Sequence, residues 1–177
     1  NEKIIPTPDI VRKAVGPSGI DILDPERYSV GSLWNGYTRL VRITGYVLRF
    51  IRHCCAKKGY DVHVCPQKTL RSGEISMAKK LLVRQSQAKF FSEELRILQP
   101  QMNNPTPDLS QLSRSKRVRI QKFSPFMDIQ RIMRSKSRLD KSQIYGYDKT
   151  HPIILDRYCG LTRLLAQQAH YEQGHPV

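Results

Sequence analysis

Between positions 33 and 51 the residues Leu33, Tyr37, Leu40, Val41, Thr44, Val47, Leu48 and Ile51 recur every three or four positions. That spacing places them on one face of an α-helix and places Arg42, Arg49 and Arg52 on the other. No acidic residue interrupts the chain between Glu26 and Asp61. The pattern predicts an amphipathic helix with Leu40, Thr44, Val47 and Ile51 turned towards a neighbour, three arginines in solvent, and a stop near Gly59. A second stripe of Met77, Leu81, Leu82, Ala88, Phe91, Leu95 and Leu98 predicts a helix from about Ser76 to Pro100, ended by that proline and by "NNPTP". Two amphipathic helices joined by a loop pack most simply as an antiparallel pair.

Beyond Leu109 the periodicity changes. "RVRIQKF" alternates polar with apolar and reads as a strand, "PFMD" as a turn, and "IMRSKSRL" as the returning strand. A last helix begins near Gly160, carries Leu161, Leu164 and Leu165 as a narrow apolar stripe, and ends between His170 and Gly174. Residues 1–30 contain Pro6, Pro8, Pro17 and Pro25 with little periodicity and read as an extended arm. The expected class is α+β, mainly α: an antiparallel helix pair, a small basic β-hairpin and a final helix. The segments expected are 1–30, 31–110, 111–150 and 151–177.

Charge narrows the function. The chain of 177 residues carries 30 Lys and Arg against 15 Asp and Glu, a net charge of +15. A surplus of that size suits a polyanionic partner, with nucleic acid ahead of an anionic membrane. No apolar run approaches the roughly 20 residues that cross a bilayer, so no membrane partner is expected. The start "NEKIIPTPDIVRK" has neither an initiator Met nor a signal-peptide core and reads as excised from something longer. Four unevenly spaced cysteines are too few for a secreted disulfide scaffold and imply a reducing compartment.

Known catalytic spacings are absent. There is no P-loop, no deaminase His-x-Glu with Cys-x-x-Cys, and no Gly-x-Ser-x-Gly elbow. No Asp–Glu pair stands 35 residues apart, as in a retroviral-type integrase core, so convergent carboxylates for a two-metal reaction are not expected. The group His53, Cys54, Cys55, His63 and Cys65 puts thiols and imidazoles close in sequence, but adjacent cysteines do not match zinc-ligand spacing. His170 and His175, with four residues between them, can turn both rings to one metal ion if the helix ends near His170. Two ligands still leave a tetrahedral zinc shell half empty.

Four blocks in order carry a family resemblance: "YSVGSLWNGYTRLVRITGYVLRFI", "RSGEISMAKKLLVRQSQAKFFSEELRIL", "LSRSKRVRIQKFSPFMDIQRIMRSKSRL" and "YDKTHPIILDRYCGLTRLLAQQAHYEQGHP". Together they resemble the BEL/Pao class of LTR-retrotransposon polyproteins. The similarity covers roughly residues 27–176, between the RNase H region and the integrase core. It implies that His170 and His175 are the first half of a His-His-Cys-Cys zinc site in a truncated module, with zinc bound only if a downstream Cys-x-x-Cys completes it. Lys136 and Ser137 depart from this resemblance, standing where the family has glycines that permit positive φ. Thr150 is inserted into what is usually Lys-His-Pro, and Val177 replaces a glycine.

The resulting expectation is a non-catalytic, nucleic-acid-binding N-terminal segment of a retrotransposon integrase, which binds element DNA ends and helps assemble the integration complex. DNA is favoured over RNA, and self-association or association with the rest of the integrase is compatible with that role. Its setting would be intracellular, in a cytoplasmic particle and the nucleus. The expected phosphate contacts are Arg114, Lys116, Arg117, Arg119, Lys122, Arg131, Arg134, Lys136 and Arg138, with Phe123 and Phe126 as stacking surfaces. Between Gln111 and Lys141 stand ten Lys or Arg against Asp128 and Asp140. The alternative is a helical scaffold or assembly module of a larger nucleoprotein machine, meeting RNA or an acidic protein.

Overall fold

The computed structural model of the chain describes Pro25 and residues 36–60, 67–98, 109–137 and 144–174. The expected arm apart from Pro25, together with Leu33, His63, Cys65, Arg138, Lys141 and His175, lies outside the described residues. Six helices and a two-stranded antiparallel sheet make the described part α+β and mainly α, as the spacing predicts. The chain divides into two compact units, one from residues 1–82 with 157–177 and one from 83–156. These bounds differ from the four segments expected above. No helix among the described residues is long and apolar enough to cross a membrane.

In the first unit, α1 (Gly36–Lys57) buries Leu40, Val41, Thr44, Leu48 and Ile51. Burial of each such aliphatic side chain contributes about 1.5–3 kcal/mol. Thr44 uses its hydroxyl within the helix, donating to the Leu40 carbonyl at 2.8 Å, so a buried polar group stays satisfied. The helix stops where the sequence signals it. Gly59 takes φ +83°; its N–H donates to the Ala56 carbonyl and that of Tyr60 to the Cys55 carbonyl. This is a Schellman closure, which satisfies the last carbonyls and favours glycine. The start of α2 (Ser72–Phe90) and α6 (Gly160–Glu172) complete the unit. α1 packs on α6, which buries Leu161 and Leu164.

Two of the three arginines expected in solvent on α1 are not there. Arg42 is exposed, but Arg49 and Arg52 are half-buried. Arg49 clamps the Glu74 carboxylate with two nitrogens at 2.8 and 2.5 Å and donates to the Gln67 and Thr69 carbonyls at 2.6 and 2.8 Å. Its planar fork has enough donors to hold both a carboxylate and the incoming loop. Arg52 reaches the Met77 sulfur.

The second unit has the remainder of α2, α3 (Ser92–Leu98), a 3₁₀ turn (Leu109–Gln111), α4 (Arg114–Gln121), strands β1 (Pro125–Met127) and β2 (Met133–Ser135), and α5 (Tyr147–Thr150). The long second helix expected from Ser76 starts at Ser72 and is interrupted at Phe91. There the Phe91 N–H still bonds Gln87, while its carbonyl accepts the Leu95 N–H that begins α3. Ala88, placed in the apolar stripe by its spacing, is exposed. "RVRIQKF" is largely helix, not strand. Only Ile120 of α4 is buried; Val118, which a strand would turn to the same side, stands in solvent. The hairpin lies one step later, with Phe126 opposite Arg134 and Met127 opposite Met133. Lys136 and Ser137 have no positive φ, so glycine is not needed there; Ser124 and Arg131 are the left-handed non-glycine residues among those described.

Residues 152–154 add a third short rung. The Ser135 N–H donates to the Pro152 carbonyl and the Ile154 N–H to the Met133 carbonyl. Gln87 joins α2 to this edge. Its amide oxygen accepts the Met133 N–H at 2.9 Å, and its NH₂ donates to the Met133 and Ile154 carbonyls, each at 2.8 Å. The core around it comprises Phe91, Ile97, Leu98, Leu112, Ile120, Met133 and Ile154.

Candidate nucleic-acid interface

The basic residues expected to contact phosphate divide by the fold into two groups. Arg134 belongs inside: it is 5 % exposed. Its guanidinium donates to Asp128 at 2.7 Å, to Asp148 at 2.9 Å and to the His151 carbonyl at 2.7 Å, and it lies over the Tyr147 ring. Burial works against its charge, and the hydrogen bonds to Asp128 and Asp148 outweigh this, raising its pKa further. It is a structural cation, which corrects its expected role. Asp128 also accepts the Gln130 and Ile132 N–H groups at 2.8 and 2.9 Å, so the pair pins the hairpin loop.

Lys116 and Arg119 are also tied to carboxylates. The Lys116 ammonium sits 2.7 Å from Glu93, and its hydrogen bond holds that carboxyl below the usual range. Arg119 spans Glu94 at 3.4 Å and Asp156 at 3.5 Å, with its guanidinium over the Phe91 ring. Glu94 is buried, so this pair stabilises the contact of α3 with α4 and leaves Arg119 only partly available to solvent.

The other described cations face outward. Arg114, Lys122, Arg131 and Lys136 are exposed, Arg117 is half-buried, and none has a carboxylate partner among the described residues. Arg114, Val118 and Lys122 stand four residues apart and form the outer line of α4, opposite Ile120. Arg114 and Lys122 are therefore about 12 Å apart along the axis, a span of three to four base steps at about 3.4 Å each. Lys122 lies 4.9 Å from the Phe123 ring centroid and Lys136 5.8 Å from that of Phe126. Phe126 in turn meets His151 edge-on at 5.3 Å, and His151 stacks on Tyr147 at 4.6 Å. Phe123 is exposed; Phe126 is half-buried and shares its surroundings with His151.

The histidine pair is only half visible. His170 is exposed in the last turn of α6, and His175 lies outside the described residues. Cys159 is buried at the opposite end of that helix, eleven residues and therefore about 16 Å from His170, too far to share an ion. Cys54 and Cys55 stand half-buried near the end of α1 beside exposed His53. Among the described residues no group of three or more His, Cys, Asp or Glu converges to hold a metal.

Sequence reasoning missed the hairpin tip. Asp128 closes a three-residue loop, Ile129–Gln130–Arg131, through its own N–H to the Ile132 carbonyl at 3.0 Å, while the Arg131 N–H donates to the Asp128 carbonyl at 2.9 Å. Arg131 takes φ +56°, the left-handed position that follows a type I turn in such hairpins. The available signal was Asp128 itself, because aspartate at a turn start hydrogen-bonds the backbone two residues on. No family model matches this sequence, and no curated protein or solved structure does.

Proposed function

We propose that this chain is a non-catalytic, nucleic-acid-binding segment of a BEL/Pao-type retrotransposon integrase, gripping DNA through phosphates and helping to assemble the integration complex. The integrase part of this reading rests on the four-block resemblance. The binding part rests on one observation: in the second unit the carboxylates Glu93, Glu94, Asp128, Asp148 and Asp156 each face a cation. Arg114, Lys122, Arg131 and Lys136 are left outward and uncompensated. Internal pairing thus concentrates the basic surplus where a polyanion can reach it. Such contacts are sequence-tolerant and release counterions.

Binding to a random-sequence duplex, followed by fluorescence anisotropy between about 50 and 200 mM salt, tests this. Changing Arg114, Lys122, Arg131 and Lys136 together to Gln flattens the slope of log affinity against log salt by up to about 0.9 for each lost phosphate contact. The single change Arg119→Gln flattens it less than one full contact. An unchanged slope in the fourfold variant overturns the proposed surface.

A further inference from the structure

We propose that Ile129, at the tip of the β1–β2 hairpin, is an apolar wedge that enters a base step of duplex DNA and kinks it. The proposal rests on the nucleic-acid reading above and names the form of nucleic acid that the surface takes.

Three observations carry it. Ile129 is 100 % exposed at the loop tip, so its whole side chain is available to a partner. The loop that presents it is closed by hydrogen bonds on both sides. The Asp128 carboxylate accepts the Gln130 and Ile132 N–H groups with one oxygen and the buried Arg134 with the other, and backbone bonds close both ends of the loop. A tip fixed in this way loses little conformational freedom on binding. Finally, the loop itself carries an exposed cation. Arg131 is two residues away with its backbone held at φ +56°, and strained non-glycine positions concentrate at working sites. Arg84 is near enough that, after burial, the Arg131 charge lowers its pKa.

An aliphatic tip beside the exposed Arg131 suits a duplex better than the other occupants. Single-stranded bases are captured on aromatic faces, and Ile129 has none. A protein groove taking this tip would need acidic walls to meet Arg84 and Arg131. Duplex DNA supplies phosphates for the cations, and architectural proteins insert Ile, Leu, Phe, Met or Pro between base steps, bending the helix by about 20–90°.

The test uses the full chain and a short duplex carrying 2-aminopurine at a TA step, with a donor and acceptor dye on its ends. Binding of the unchanged protein raises the 2-aminopurine emission, because the step is unstacked, and shortens the end-to-end distance. Ile129→Ser abolishes both changes while the salt slope of binding stays as before; its side chain touches nothing in the fold, so folding is not at issue. Ile129→Leu restores them. If the unchanged protein binds with no rise in emission and no bend, the wedge is wrong and the phosphate reading stands. An Ile129→Ser protein that unstacks and bends as well as the unchanged one also overturns it. Failure to bind the duplex at all removes both readings.

Discussion

The two units are held together by different means. The first is a set of helix faces: α1 against α6 with Leu40, Leu48, Ile51, Leu161 and Leu164 buried, and the Arg49–Glu74 pair at its margin. The second has a comparable apolar core but runs polar side chains through it, Gln87 into the β2 edge and Arg134 across to Asp128. Helices satisfy their own backbone groups, so the first unit needs only side-chain packing. A three-residue hairpin leaves backbone edges that something must complete, and Gln87 does so. The same residue type therefore serves different ends according to backbone context, and net charge alone does not say which arginines are free.

The largest effect that separates the units is expected from Arg134→Leu. Removing one partner of a buried pair leaves Asp128 uncompensated, a loss of about 3–5 kcal/mol. Hydrogen exchange should rise across residues 125–135 while amides of α1 keep their protection; equal loss in α1 would show that the units do not differ as described. Gln87→Leu comes next. It strands the Met133 N–H and the Ile154 carbonyl, at about 1–3 kcal/mol for each buried group, so urea unfolding of the second unit should shift by about 2–6 kcal/mol. A shift under about 0.5 kcal/mol, the ordinary effect of a surface change, would rule out the clasp.

The smallest effect sharpens the comparison from the other side. The Arg49 hydrogen bond, opposed by burial and aided by the Arg71 N–H, holds Glu74 down to about 2 from its usual 4.5. A carboxyl whose folded pKa is depressed contributes stability above its unfolded value and loses it as pH falls through the folded one. The first unit should therefore weaken between about pH 4.5 and 2, and Glu74→Gln should remove that part of the slope. Melting curves of the two proteins that stay parallel over this range would contradict the assignment.

What the sequence shows depends on how often a pattern repeats. α1 and α6 are legible because several inward residues recur at helical spacing, and Gly59 marks a stop that only a positive φ explains. "RVRIQKF" misleads because alternation over four positions is too short to distinguish a strand from a helix with a single inward residue, Ile120. The basic run is legible in the sequence, and Arg114, Lys122, Arg131 and Lys136 are exposed. Arg134 could not be told apart from them, since its partners Asp128 and Asp148 become neighbours only when the chain folds. Arg49 hides for the same reason, with Glu74 twenty-five residues away.

The Gln87 clasp also has a consequence for the order in which the chain can complete itself during synthesis. Its partners are 46 and 67 residues downstream. At about 5–20 residues per second, the Gln87 amide waits several seconds before Ile154 exists to receive it. α1 waits longer still for its partner α6. Residues 152–172 therefore act as the closing segment of both units, and until they emerge the apolar face of α1 and the open edge of β2 are the surfaces that a nascent chain must keep from other contacts.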